Sequence, residues 1–80
     1  MEKYDLVKDK LYQILNYNLG KARECKDLIE FSALIGWFIV GTIEVINKSD
    51  LAYSDKEKLI FWMEEEMTVL RMFYIRSEEH

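Results

Sequence analysis

Eighty residues make one small domain, and a chain this short buries only about 60% of the surface its unfolded form exposes, so its core needs reinforcement. One cysteine, Cys25, excludes an internal disulfide, and one histidine, His80, excludes a Cys/His zinc site within a single chain; dense apolar packing and oligomerisation remain. The net charge of −4 argues against nucleic acid, because the basic residues Lys3, Lys8, Lys10, Lys21, Arg23 and Lys26 alternate with Asp5, Asp9, Glu24 and Asp27 and form no basic stripe.

The chain holds no proline, and strand-like alternation never lasts beyond a few residues, so every element reads as helix. The spacing predicts a first helix over 3–18. Tyr4, Val7, Leu11, Ile14 and Leu15 form one apolar stripe, with Lys8, Asp9, Lys10 and Gln13 facing away. Asn16 to Gly20 reads as its end, with Gly20 available for a left-handed cap. The stripe continues through Leu19, Ala22, Cys25 and Ile29, so one long helix bent near Gly20 is the competing reading.

A second helix is predicted over 21–47. Arg23/Asp27 and Lys26/Glu30 stand at ion-pair spacing in its first half. Its second half, Phe31 to Val45, is the most informative stretch of the chain. It carries one charge, Glu44, and its small or polar positions (Ser32, Gly36, Gly41, Thr42) share no face. A helix that is apolar all round must be buried all round or lie in lipid. A membrane span needs about 20 predominantly apolar residues. The charge-free run stops at Ile43, and extending it brings in Glu30 and Glu44, so burial by protein is the preferred reading. Gly36 and Gly41 suggest a close helix crossing that admits a bulky neighbour such as Trp37 or Trp62.

A third helix is predicted over 55–75. Ser54-Asp55-Lys56-Glu57 fits a capping box with Ser54 as N-cap, and Tyr53 stands where a hydrophobic staple would begin. Leu59, Met63, Leu70 and Tyr74 fall on one side; Phe61, Thr68, Met72 and Ile75 fall on another, which is more apolar arc than one core requires. Residues 77–80 read as a frayed tail.

The candidate chemistry is thin. Glu64-Glu65-Glu66 spread over too wide an arc to ligate one ion, although two of them facing Glu24, Asp27 or Glu30 across a bundle would offer a carboxylate site for a divalent cation. A solvated charged face is the simpler reading. Cys25 has Lys21, Arg23 and Lys26 nearby to activate a thiolate, yet no general base, and it falls on the apolar stripe as a small hydrophobe. His80 is assigned no function.

The expectation is therefore an all-α domain, a small antiparallel three-helix bundle completed by oligomerisation. Its interface is expected at Phe31, Ile35, Trp37, Phe38, Phe61, Trp62, Met72 and Phe73. No catalytic residue, cofactor or metal site is assigned. The expected partners are a second copy and an unidentified protein, with neither nucleic acid nor membrane. An unpaired cysteine and a polar, mixed-charge front from Glu2 to Asp9 point to the cytoplasm. The brevity, the lack of proline and the Lys/Glu/Ile/Tyr-rich composition resemble small proteins of phages and mobile elements of AT-rich bacteria. That resemblance implies an inhibitor of a host enzyme or defence complex whose acidity mimics nucleic-acid phosphates. The alternatives are a metal-dependent nucleotide-processing or ligand-binding protein built on the carboxylates, and a membrane-associated immunity-type protein.

Overall fold

The computed structural model describes residues 2–78, and the three predicted helices are present: α1 (Lys3–Glu24), α2 (Leu28–Lys48) and α3 (Tyr53–Glu78). No strand occurs among the described residues. Each helix packs against the other two in a bundle 42 Å long, close to the length of α3 alone at about 1.5 Å per residue. Side-chain contacts fix the directions. Lys3 at the start of α1 lies 3.7 Å from Asp50 beyond the end of α2. The ring of Phe31, in the first turn of α2, stacks on Tyr74 near the end of α3 at 4.4 Å. The Arg23 guanidinium, near the end of α1, covers the Phe73 ring at 4.7 Å. Thus α1 and α3 run parallel and α2 runs antiparallel to both, as connections of three and four residues require.

The first helix does not stop at Gly20, nor does it run on into α2. Gly20 keeps a negative φ, and Ala22, one turn from Asn18, is fully buried, so burial carries the helix to Glu24. The break falls at Cys25–Asp27, where Asp27 caps α2. Its carboxylate accepts the Glu30 N–H at 2.9 Å, while the Glu30 carboxylate accepts the Lys26 N–H at 2.8 Å. The first bond satisfies a donor that a helix start leaves unpaired, and the second ties the residue before the cap to the first turn. It also corrects the expected ion pairs. Arg23/Asp27 and Lys26/Glu30 straddle the break, and Glu30 takes a backbone N–H of Lys26.

The Ser54 cap is a second correction. The carbonyl of Ala52 accepts the N–H groups of Asp55 and Lys56 at 3.0 and 3.1 Å, so α3 begins at Tyr53 and Ser54 sits inside its first turn. The end of α2 is fastened separately. Ser49 Oγ donates to the Ile46 carbonyl at 2.6 Å, and Lys56 Nζ reaches the Asn47 carbonyl at 3.5 Å. At its other end α3 includes residues 77 and 78, which the frayed-tail reading excluded; Glu79 and His80 lie outside the described residues.

The core is built from one stripe per helix: Leu11, Leu15 and Ala22 of α1, Phe31, Phe38 and Ile46 of α2, and Leu59, Trp62, Met63, Leu70 and Tyr74 of α3. Two polar residues join them. Asn18 donates to the Ile14 carbonyl at 2.7 Å, whereas the fully buried Thr42 has a hydroxyl without a hydrogen-bond partner. The buried indole N–H of Trp62 also lacks one, its ring meeting Tyr12 edge-on at 5.3 Å.

Candidate functional site

Helix α2 is the most apolar element of the chain, yet it is covered on one side only. Phe31, Phe38, Thr42 and Ile46 recur at helical spacing and face inward. On the opposite side stand Ile29, Ala33, Gly36, Trp37 and Val40, all exposed: Ile29 at 81%, Trp37 at 75% and Val40 at 58%. The outward face is polar at its two ends, with Glu30 in the first turn and Glu44, Asn47 and Lys48 in the last turns. Lys48 donates to the Glu44 carboxylate at 2.6 Å, and this hydrogen bond, with the lysine's charge, holds Glu44 below the usual carboxylate range. Ala33, Gly36, Trp37 and Val40 line a shallow hollow of about 300 Å³, and Trp37 also borders Tyr17, Lys21 and Leu34 at the α1–α2 edge.

The expected interface residues therefore divide. Phe31, Phe38 and Trp62 are corrected to the chain's own core, because α1 and α3 bring enough apolar surface to enclose them. Ile35 and Phe73 are half-buried against that core. Trp37, Phe61 and Met72 are exposed, but Trp37 and Phe61 line different hollows. Phe61 belongs to a groove of about 530 Å³ between the end of α2 and the first half of α3, shared with Ile46, Tyr53, Ile60 and Glu64. Ile29 and Val40 were missed as site residues. Their three- and four-residue spacing with Ala33 and Gly36 was the available signal.

The close crossing expected at Gly36 and Gly41 is absent within the chain. A Cβ at either position would meet nothing within 4 Å, and neither glycine has a positive φ. Nor do the carboxylates assemble. Asp27 and Glu30 are engaged in the α2 cap, and the start of α2 adjoins the end of α3, well away from Glu64–Glu66 at its middle. Among the described residues no three His, Cys, Asp or Glu side chains come together as a metal site would need. Glu66 is half-buried, and its burial and its neighbour Glu65 raise its pKa against the opposing charge of Lys8.

The thiol of Cys25 is likewise pushed up, first by burial and then by Glu30, Asp27 and Glu24, which is the reverse of what a nucleophile requires. Its Sγ donates to the Lys21 carbonyl at 3.4 Å. What the arrangement offers is apolar contact along the outer face of α2, with an aromatic anchor at its centre. No protein-family model matches the chain, and no curated protein or solved structure shows significant similarity to it.

Proposed function

We propose that this chain is a non-enzymatic helical interaction module of the cytoplasm whose docking surface is the outward face of α2, with Trp37 as its anchor. The observation that carries the reading is the exposure of Ile29, Trp37 and Val40 together on one face that α1 and α3 leave uncovered. Large contiguous apolar patches are uncommon on soluble monomers and mark contact sites, and tryptophan is the residue most often found dominating them. Exposed acids stand both on α3 (Glu57, Glu64 and Glu65) and beside Trp37, where Glu24 and Glu30 share a hollow with it, so the rim of the docking face is acidic.

A membrane surface is the second reading, favoured by one observation. Helix α2 is long and apolar enough to cross a bilayer by length and composition, and only 22% of its most apolar stretch is buried. It ranks second because insertion would strip Phe38, Thr42 and Ile46 from the core they share with α1 and α3, and because a net charge of −4 is repelled by an anionic leaflet.

A photoreactive benzoylphenylalanine at position 40, activated in living cells, separates the two readings. Protein adducts at position 40 and none at the exposed position 9 of α1 are expected. Lipid adducts alone would overturn the proposal.

A further inference from the structure

The groove between the end of α2 and the first half of α3 shares no lining residue with the hollows beside Trp37, so it is a separate surface. Its floor is apolar, at Ile46 and Ile60. Two aromatic rings border it in solvent, Tyr53 exposed at 77% and Phe61 at 65%. Glu57 stands between these rings along α3, and Glu64 follows Phe61; both acids are exposed. We infer that this groove takes a basic helix of a partner protein, one with two arginine or lysine residues seven positions apart and an apolar residue between them.

Charge carries the choice of partner, because the chain does not neutralise these two acids itself. Lys56 lines the same groove, but its Nζ lies 3.5 Å from the Asn47 carbonyl, at the negative end of α2. Lys58 pairs with Asp55 at 3.9 Å. Among the described residues no ion pair or side-chain hydrogen bond holds Glu57 or Glu64. An aromatic face attracts a guanidinium or ammonium group, and a carboxylate beside it supplies the countercharge.

Spacing selects a helix. Glu57 and Glu64 lie two turns apart on one side of α3, a rise of about 10.5 Å along its axis. A partner helix repeats a face over the same two turns, so one such face brings a base to each acid. An extended segment repeats a face every ~6.8 Å, and neither one repeat nor two matches that interval. Phe61 sits one turn from each acid, where the apolar residue between the partner's bases meets it. The groove, about 530 Å³, then holds the side chains of one helix face, as when an amphipathic helix lies in a cleft. Exposed ion pairs are weak and screened, so the association is salt-sensitive.

The probe is a synthetic helical peptide based on alanine and glutamine. It carries two arginines seven positions apart and leucines three and four positions after the first. One control moves the second arginine two positions back, onto another face of the helix; the other replaces both arginines with glutamine. Amide NMR shifts of the full labelled chain, titrated with the probe, should concentrate at Asn47, Tyr53, Glu57, Phe61 and Glu64 and leave Ile29, Trp37 and Val40 unmoved. Glu57→Gln/Glu64→Gln should weaken binding about tenfold, and added salt should weaken it further. Phe61→Ala should weaken it by roughly threefold or more. All three side chains are exposed, and circular dichroism checks that each variant folds. Equal binding of the moved-arginine control would leave only attraction by net charge and overturn the site. Equal binding of the glutamine control would overturn the basic partner. Shifts confined to other surfaces, or none with excess probe, would overturn the groove. Groove shifts that grow with the concentration of the chain alone would make a second copy the occupant and overturn the heterologous helix.

Discussion

Thr42 offers the sharpest test of the packing. It lies on the inward side of α2 between Phe38 and Ile46, each one turn away, and it is fully buried with its Oγ1 unpartnered. A buried hydroxyl without a hydrogen bond costs about 1–3 kcal/mol relative to the same group in water. Valine has nearly the same shape, prefers a single χ1 rotamer in a helix, and places a methyl where the hydroxyl stands. A buried methyl contributes about 0.8 kcal/mol, and the helix propensities of the two residues are nearly equal. Thr42→Val should therefore stabilise the fold by about 1–2 kcal/mol, and each kcal/mol should raise Tm by about 4–8 °C for a domain of this size.

Thr42→Ser separates the two contributions, since it keeps the hydroxyl, loses the methyl and should destabilise. Urea denaturation followed by far-UV circular dichroism gives both values, with an unchanged slope showing that the unfolded state is not the cause. Destabilisation of about 1 kcal/mol or more by Thr42→Val would refute the reasoning. It would mean that the hydroxyl is bonded in solution, with the carbonyl of Phe38 one turn back as the partner.

Three further outcomes follow from the helix ends and the one half-buried acid. Asp27→Ala should cost about 1 kcal/mol because it removes the α2 cap, while Ser54→Ala, inside the first turn of α3, should stay within about 0.5 kcal/mol; equal losses in chemical denaturation would contradict the assigned starts. Gly20→Ala should stabilise by up to about 1 kcal/mol, since Gly20 has a helical φ and open space for a Cβ; a loss in melting temperature would restore the left-handed cap. Glu66→Gln should raise stability at neutral pH. Burial lifts the folded-state pKa of Glu66 above its unfolded value, so ionisation disfavours the folded state, and the gain should fade as pH drops through the carboxylate range; a gain that grows on acidification would reverse the sign.

The number of helices and the stripes of α1 and α3 were legible in the sequence because their apolar residues recur at helical spacing against polar backgrounds. The helix ends were less so. Gly20 and Ser54 carried conspicuous local signals, but the burial of Ala22 and the carbonyl of Ala52 prevailed over them. Asp27-Leu28-Ile29-Glu30 held the capping signature that mattered, concealed because Lys26 and Glu30 also stood at ion-pair spacing. The sidedness of α2 was illegible for a different reason. Phe31 and Phe38 are no more apolar than Trp37 and Ile29, so periodicity within α2 cannot say which pair faces inward; that choice is made by the shapes of α1 and α3. Asn18 and Thr42 were missed as core residues because polarity disguised their register.

The two tryptophans occupy opposite environments, and this gives the protein separate optical reporters. Trp37 stands in solvent on the outward face of α2, so its emission should lie to the red, and it should shift to the blue if a partner covers that face. Trp62 is enclosed and meets Tyr12 edge-on, so its emission should already be blue and move to the red only on unfolding. Soluble quenchers should extinguish the first and spare the second. Fluorescence on the unlabelled chain can therefore follow binding and folding as distinct signals in one cuvette.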